Sequence, residues 1–278
     1  MIKLKNFFKR IQTMDEKTTK VDEVYVEKPV EPVRENDGKG SADSIMNVYN
    51  VMILDESGSM SCVTQQTISG CNETLQTVRE MQKRNQQAQR HLVSIYAFNK
   101  SDSRYIVKDT PIETVREITS NDYSPNGGTP LFDAMGYTLT ELRDKVDGKN
   151  TMGYVTVITD GYENASSKYD IDDVKCLIDE LKERGVIFSF IGANIDAAEY
   201  AKTMHIENSM QFEQTVEGTK EMWIRERRGR LRSSAKMKMW RTLEEGDMEE
   251  FYKSENLGNY YSDASEERVT PEIIERLK

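Results

Sequence analysis

The sequence contains little histidine or cysteine and no long apolar run. Either a histidine-rich metal site or a Ser-His-Asp triad would use most of its two histidines, His91 and His205. The three cysteines form no Cys-x-x-Cys pair and are odd in number, so neither a disulfide framework nor a zinc knuckle is supported. Reduced thiols are the default in the cytosol, and we expect a cytoplasmic protein. No run of about 18 apolar residues occurs, so we expect no transmembrane helix.

The composition favours one folded domain with polar extensions. The 278 residues are 37% hydrophobic and 31% charged, which fits a packed centre flanked by solvated ends. The formal net charge of −10 argues against a whole-protein affinity for nucleic acid or anionic membranes, although local patches can differ. The oligomeric state does not follow from these features.

Both ends of the chain are predicted to lie outside the folded domain. Residues 1–44 combine a basic, partly apolar start with a linker that repeats Val, Glu and Pro and offers no helical stripe. The start lacks the continuous apolar stretch of a signal peptide, and a terminal helix is favoured over an interfacial membrane helix. We assign residues 45–241 to the domain and residues 242–278, with eleven acids against four bases, to an acidic tail.

Six segments rich in apolar residues predict the strands of one sheet. The first is a continuous apolar run that ends in an acid, as expected for a strand that is buried on both faces. The second and third are separated by a turn too short for a crossover helix, so they predict an antiparallel hairpin at the edge of the sheet. The segments span residues 48–55, 91–99, 104–112, 153–160, 186–193 and 209–213.

Between these segments, apolar residues recur at helical spacing. Pro130 stands where a first helical residue tolerates proline, and Gly185 follows the third stripe as a stop signal. Strand and helix therefore alternate, which predicts a doubly wound, mostly parallel, Rossmann-like α/β sheet with one antiparallel edge strand. Ligands of such sheets bind beyond the carboxyl ends of the strands, near the topological switch point. The stripes are Ile68, Cys71, Leu75 and Val78; Leu131, Met135, Leu142 and Val146; and Ile171, Val174, Ile178 and Leu181.

Three predicted loops at that end of the sheet carry small oxygen-bearing side chains beside glycines. Glycine lets the backbone approach a ligand closely. The donors are hydroxyl and carboxylate oxygens, and such hard donors select Mg²⁺, or Mn²⁺ or Ca²⁺, over zinc and copper. The candidate metal ligands are Asp55, Ser57, Ser59, Thr129 and Asp160.

The charge of these donors favours binding over catalysis. If the hydroxyls of Ser57, Ser59 and Thr129 bind directly while Asp55 and Asp160 act through waters, a bound metal keeps much of its positive charge. Such an incompletely coordinated cation accepts an outside carboxylate as its last ligand. We therefore expect a protein that binds an Asp or Glu side chain, or a terminal carboxylate, of a partner protein.

The same three loops resemble the metal-ion-dependent adhesion site of von Willebrand factor A domains. Asp-x-Ser-x-Ser at 55–59, Gly-Thr-Pro-Leu at 128–131 and Thr-Asp-Gly at 159–161 follow the order and spacing of that site, and the resemblance covers about residues 46–216. It implies that the three hydroxyls are direct ligands and that the two aspartates act through water. The residues in and around the motifs further resemble those of intracellular bacterial or phage members of this family. That likeness implies partners such as AAA-type ATPases or stress-response and metal-resistance complexes.

Each site residue also has a purely structural interpretation. Thr129 before Pro130 fits a helix N-cap, the two serines fit caps of the following helical region, and Asp160-Gly161 fits a turn. The convergence of three loops on one end of the sheet favours the metal over these separate explanations. Glu56, inside the first motif, is predicted to be a surface residue.

The C-terminal third contains a strongly basic segment. Residues 220–241 hold nine basic and two acidic residues. We predict a last helix with a basic outer face and an apolar seam of Leu231, Ala235 and Met239. The simple interpretation is a solvated face screened by the acidic tail. The alternative is a face that binds the phosphates of nucleic acid or lipid.

Three functions from different classes follow. We favour a metal-dependent protein-binding module that is not an enzyme. A metal-dependent phosphohydrolase of the haloacid-dehalogenase type would need a second acid where Ser57 stands, and no Walker loop or Gly-x-Ser-x-Gly elbow occurs. A nucleic-acid-associated scaffold would use the basic helix.

Overall fold

The computed structural model describes residues 45–147, 149–242 and 248–261. The predicted linker at 1–44 and the last part of the predicted tail lie outside these ranges. The described chain forms a six-stranded sheet with helices on both faces. The strands are β1 (Met46–Asp55), β2 (Gln89–Phe98), β3 (Arg104–Pro111), β4 (Thr151–Thr159), β5 (Val186–Ala193) and β6 (Ser209–Phe212). The helices are α1 (Thr64–Asn85), α2 (Leu131–Arg143), α3 (Ile171–Glu183), α4 (Ala197–Thr203), α5 (Val216–Thr242) and α6 (Met248–Ser254).

The sheet confirms the predicted topology. Its strand order is β3-β2-β1-β4-β5-β6, and among the described strands only β3 runs antiparallel to its neighbour. The chain passes from β1 to β2 on one side and later returns to β4 on the other, so the topological switch point lies between β1 and β4. Asp55 ends β1 and Asp160 directly follows β4 at this point.

The two faces of the sheet bury separate apolar cores, because successive side chains of a strand point to opposite sides. In β1, Val51 and Ile53 belong to the core beneath α2, α3 and α4, whereas Met52 and Leu54 belong to the core beneath α1 and α5. All four side chains are at most 5% exposed. Burial on both faces explains why β1 is a continuous apolar run.

Local sequence fixes the ends of the helices. Asp170 accepts hydrogen bonds from the backbone N–H groups of Asp172 and Asp173, and Asp173 accepts one from Asp170, which makes a capping box at the start of α3. Gly185 ends the same helix with a φ of 87°, a left-handed conformation that glycine adopts at little cost. Pro130 stands one position before α2 instead of being its first residue.

Helix α5 covers the sheet as predicted, but the predicted apolar seam is wrong. Leu231 is partly exposed and Ala235 is exposed, while the side chain of Met239 lies outside the described ones. The buried face instead carries the apolar side chains of Met222, Trp223 and Met237, with Glu226 and Arg230 buried between them. The helix therefore packs on the sheet through other apolar residues than predicted, and through one charged pair that meets polar side chains of the sheet. Neither α5 nor any other described helix has the length and apolarity needed to cross a membrane.

The segment after α5 is folded against the sheet although its composition predicts a tail. Phe251 and Tyr252 of α6, together with Tyr260, are buried in a third apolar cluster beside Met46 and Met152. Three aromatic side chains within ten residues outweigh the local excess of acids, since each buries a large apolar area.

Candidate metal centre

Three loops meet at the switch point and are joined by backbone hydrogen bonds. Gly58 N donates to Gly127 O over 3.0 Å, and Asn126 N donates to Glu56 O over 2.8 Å, which ties the loop after β1 to the loop before α2. Asn164 N donates to Thr129 O over 3.1 Å, which ties in the loop after β4. The three motifs found in the sequence therefore lie at one place.

Asp55 is the most deeply buried of the candidate ligands. Its Oδ1 accepts a hydrogen bond from Ser57 N (2.7 Å), and its Oδ2 accepts one from Thr159 Oγ1 (2.6 Å). Burial raises the pKa of this carboxyl to about 6, against the lowering effect of these hydrogen bonds. Within the described residues, no basic side chain forms an ion pair with it. A nearby divalent cation would favour the charged form of such a carboxylate.

The two serines and Asp160 form a chain of oxygens. Ser57 Oγ lies 3.1 Å from Ser59 Oγ, and Ser59 Oγ donates to Asp160 Oδ1 over 2.6 Å. Ser57 and Asp160 are buried, whereas Ser59 is exposed. The structural alternative for Ser57 is not realised, because its side chain makes no capping hydrogen bond to the helical segment that follows. The oxygens thus lie at the base of a site that opens to solvent.

Thr129 joins this group from the loop before α2. A Cβ placed on Gly161 would lie 3.7 Å from Thr129 Oγ1, so the hydroxyl is next to the Asp160-Gly161 turn. The hydroxyl does not cap α2, which rules out the N-cap interpretation for this residue. The free amides at the start of α2 are satisfied instead by the loop after β4: Phe132 N donates to Glu163 Oε2 over 2.9 Å.

The donor set fits a hard divalent cation. Among the described residues, no group of three or more His, Cys, Asp or Glu side chains is placed to hold a metal ion, so an ion here would also need the hydroxyls. The candidate site offers two carboxylates and three hydroxyls, all oxygen, and it places a buried carboxylate without a basic partner at its base. These are donors that suit Mg²⁺, Mn²⁺ or Ca²⁺.

Glu56 is buried, and its prediction as a surface residue is wrong. Only 1% of the side chain is exposed. Its carboxylate accepts hydrogen bonds from both terminal nitrogens of Arg104 (2.7 and 3.1 Å), from Asn99 Nδ2 (3.1 Å) and from Ser124 N (2.5 Å). The reason is that β1 is central, so its following loop is covered by the loops of neighbouring elements. The hydrogen bonds of Glu56 therefore hold the first motif in place from the protein interior.

Two further polar residues at the site are missed by the motif analysis. Gln214, between β6 and α5, donates from Nε2 to Asp160 Oδ2 (2.5 Å) and to Ser59 O (2.9 Å). Its Oε1 accepts from Asn194 Nδ2 over 2.7 Å, and Asn194 follows β5 with a left-handed φ of 56°. Asparagine after a strand is an ordinary turn signal, and nothing in the sequence around Gln214 indicates this contact.

A doubly wound α/β sheet whose polar loops meet at the switch point is a Rossmann-like fold. The family model of the von Willebrand factor type A domain matches residues 51–220, which is more than half of the chain. The chain belongs to the von Willebrand factor type A family. No curated protein matches the sequence significantly.

Several solved structures align with this chain at low sequence identity. The pilus adhesin SpaC of Lactobacillus rhamnosus GG aligns with a TM-score of 0.50 and 14% identity, over 66% of this chain and 30% of that one. A von Willebrand factor type A protein of Catenulispora acidiphila aligns with a TM-score of 0.43 and 14% identity, over 66% of this chain and 43% of that one. The manganese-loaded TRAP protein of Plasmodium vivax aligns with a TM-score of 0.39 and 16% identity, over 59% of this chain and 63% of that one. The chain thus spans less than half the length of the first two.

Proposed function

We propose that this protein is a divalent-metal-dependent protein-binding module that captures an Asp or Glu carboxylate of a partner protein. Ser57, Ser59 and Thr129 would hold Mg²⁺, or Mn²⁺ or Ca²⁺, directly, and Asp55 and Asp160 would act through waters. The bound cation would supply a positive charge with a coordination position open to an outside carboxylate. The observation that carries the proposal is the hydrogen bond of 2.6 Å between Ser59 Oγ and Asp160 Oδ1, which joins two of the three motifs.

The hydrogen bonds at the site suit these roles. A hydroxyl has one proton and two lone pairs, so Ser59 can donate to Asp160 and still offer oxygen lone pairs to a cation. Both oxygens of Asp55 already accept hydrogen bonds from the protein. This carboxylate would therefore orient the loop and balance charge, while the neutral hydroxyls keep lone pairs for a cation.

Location and partner belong to the same proposal. All three cysteines are free, Cys62 and Cys176 being exposed, which is compatible with a reducing cytoplasm. On the resemblance to intracellular bacterial or phage members, the partner would belong to an ATPase-linked or stress- or metal-resistance complex, and the module would have no catalytic activity of its own. Fold likeness alone does not identify a partner, so the partner must be found by experiment.

The alternative of a nucleic-acid scaffold on α5 has weaker support. Arg230 is turned into the protein, and Arg227 lies 3.7 Å from Glu80, which reduces the free positive charge of the helix. The phosphohydrolase alternative still needs an acid where Ser57 stands. A phosphatase assay with magnesium tests it, and turnover lost in Asp55→Asn would replace our proposal.

Affinity capture from the native host tests the proposal. The tagged full chain is incubated with extract in magnesium or in excess chelator, and bound proteins are identified by mass spectrometry. We expect specific partners in magnesium that are lost with chelator and with Asp55→Ala, while the exposed control Asp144→Ala retains them and circular dichroism shows that all variants are folded. Capture that persists unchanged in chelator removes the metal from the mechanism.

A further inference from the structure

Gln214 approaches the candidate metal centre from a fourth loop. Its side-chain nitrogen faces Asp160 Oδ2 and Ser59 O, which can only accept hydrogen bonds, so the orientation of the amide is fixed. Its oxygen takes the hydrogen bond from Asn194. A single neutral side chain therefore links the loops that follow β1, β4, β5 and β6.

The consequence for Asp160 is that both of its carboxylate oxygens are engaged by the protein. Ser59 Oγ donates to Oδ1 over 2.6 Å, and Gln214 Nε2 donates to Oδ2 over 2.5 Å. Each oxygen keeps a second lone pair, but the two bonds fix the direction of the carboxylate, so turning it to bring a free lone pair onto a cation would strain or break at least one of them. Hydrogen bonds to a charged group are stronger than those between neutral groups, so this arrangement resists reorientation of the carboxylate.

We propose that Gln214 is a positioning residue that keeps Asp160 from coordinating the metal directly and thereby preserves the open position for a partner's carboxylate. This inference rests on the proposed function. A carboxylate that ligates directly neutralises part of the charge of a divalent cation and displaces a water. The metal would then be held more tightly, but it would attract an outside carboxylate less.

The backbone around Gln214 holds its amide in place. The next residue, Thr215, directly precedes α5 and binds its first turn: its hydroxyl accepts from Gly218 N over 3.0 Å, and its carbonyl accepts from Thr219 N over 3.0 Å. Thr215 N in turn donates to Glu213 O over 2.7 Å. Gln214 thus stands between β6 and the first turn of a long helix, and its side chain is directed at the site by both.

Mn²⁺ alone is a suitable probe, because water-proton relaxation counts the waters bound directly to this ion. We compare the wild-type full chain with two variants, Gln214→Leu and Gln214→Asn. The asparagine variant keeps an amide, but its side chain is too short to reach Asp160. The matched control is Gln211→Leu, which changes an exposed glutamine of β6. We expect both Gln214 variants to bind Mn²⁺ about three- to tenfold more tightly and to lose about one bound water, while the control matches the wild type.

A second substitution assigns the effect to Asp160. In an Asp160→Asn background, Gln214→Leu should change neither the Mn²⁺ affinity nor the water number, because a neutral amide does not replace the carboxylate as a ligand. The inference is overturned if the folded Gln214 variants bind Mn²⁺ no more tightly than the wild type and keep the same number of bound waters. If the wild type binds Mn²⁺ and Ser57→Ala does not, that result leaves the proposed function intact. A wild type that fails to bind Mn²⁺ overturns both the inference and the proposed function.

Discussion

Glu226 and Arg230, one helical turn apart on α5, form an ion pair of 2.8 Å in which each side chain is only 1% exposed. Arg230 also donates to Asn50 Oδ1 and Thr156 Oγ1, both over 3.0 Å. Glu226 additionally accepts from Tyr261 Oη over 2.8 Å. The pair therefore pins the basic helix to the central strands of the sheet by polar contacts that have no access to water.

We expect Arg230→Met to destabilise the fold by about 3–5 kcal/mol, because it leaves the carboxylate of Glu226 buried without its cation. The double variant Arg230→Met, Glu226→Gln should recover part of the loss. The free energy of unfolding in urea checks both, with the exposed Arg228→Met as the control. A loss below about 1 kcal/mol for Arg230→Met would show that the pair is not enclosed as described.

Gly70 of α1 packs against the Trp223 ring of α5. A Cβ at this position would lie 2.0 Å from Cε2 and Nε1 of the Trp223 ring. We expect Gly70→Ala to cost about 1–3 kcal/mol, against the usual gain of alanine in a helix, because the indole must shift within a packed core. Thermal unfolding measures the loss. Ser69→Ala, an exposed change on the same helix, should leave the melting temperature close to the wild type.

His91 makes stability depend on pH. Its Nε2 lies 3.1 Å from Gln89 Oε1 and its Nδ1 lies 3.3 Å from Asn50 Nδ2, an arrangement that suits the neutral ring. Burial, and then the positive charge of Arg230, lower the pKa of His91 to about 3. The folded state therefore resists protonation that the unfolded chain accepts near pH 6.5. The stability that His91 contributes is complete above about pH 6.5 and is lost as the pH falls toward 3.

Between pH 6.5 and 4.5, we expect His91→Gln to reduce the slope of the free energy of unfolding against pH by up to about 1.4 kcal/mol per pH unit. Urea unfolding in chelator across this range measures the slope for the wild type, for His91→Gln and for the surface control His205→Gln. Equal slopes for the wild type and His91→Gln would contradict the burial of a neutral His91.

Glu56 couples the stability of the fold to the candidate metal centre. We expect Glu56→Gln to cost about 1.5–3 kcal/mol, because an amide nitrogen cannot accept the bonds that Arg104 and Asn99 donate. Arg104→Leu should cost a similar amount, and the double variant less than the sum of the two. Chemical denaturation checks these values, with the exposed Glu113→Gln as control. Additive losses would mean that the two residues do not act as a pair.

The fold was predictable because β1, β4 and β5 are buried on both faces and so are short, largely apolar runs, which their length and the turn signals beside them identify as strands. The convergence of Ser57, Thr129 and Asp160 was likewise predictable, since the carboxyl ends of parallel strands meet at one edge. Whether they bind a metal stays a prediction until it is measured.

What the sequence could not reveal depends on contacts between distant residues. The local sequence does not distinguish Glu56 from an exposed glutamate. Its burial depends on Arg104, which lies 48 residues later in the chain, in β3. Gln214 lies in a loop without a motif, and its contact with Asp160 exists only once β6 and α5 are in place. Arg230 looks like one of many surface arginines, because charge patterns do not show which face of a helix meets polar groups of the sheet.

Isothermal titration of the full chain with Mg²⁺ tests the central claim most directly. Our account predicts a single site per chain that is lost in Ser57→Ala and in Thr129→Val and is retained in Ser61→Ala, an exposed serine two positions beyond the motif. Absence of binding by the wild type, or binding that Ser57→Ala leaves unchanged, would contradict the account.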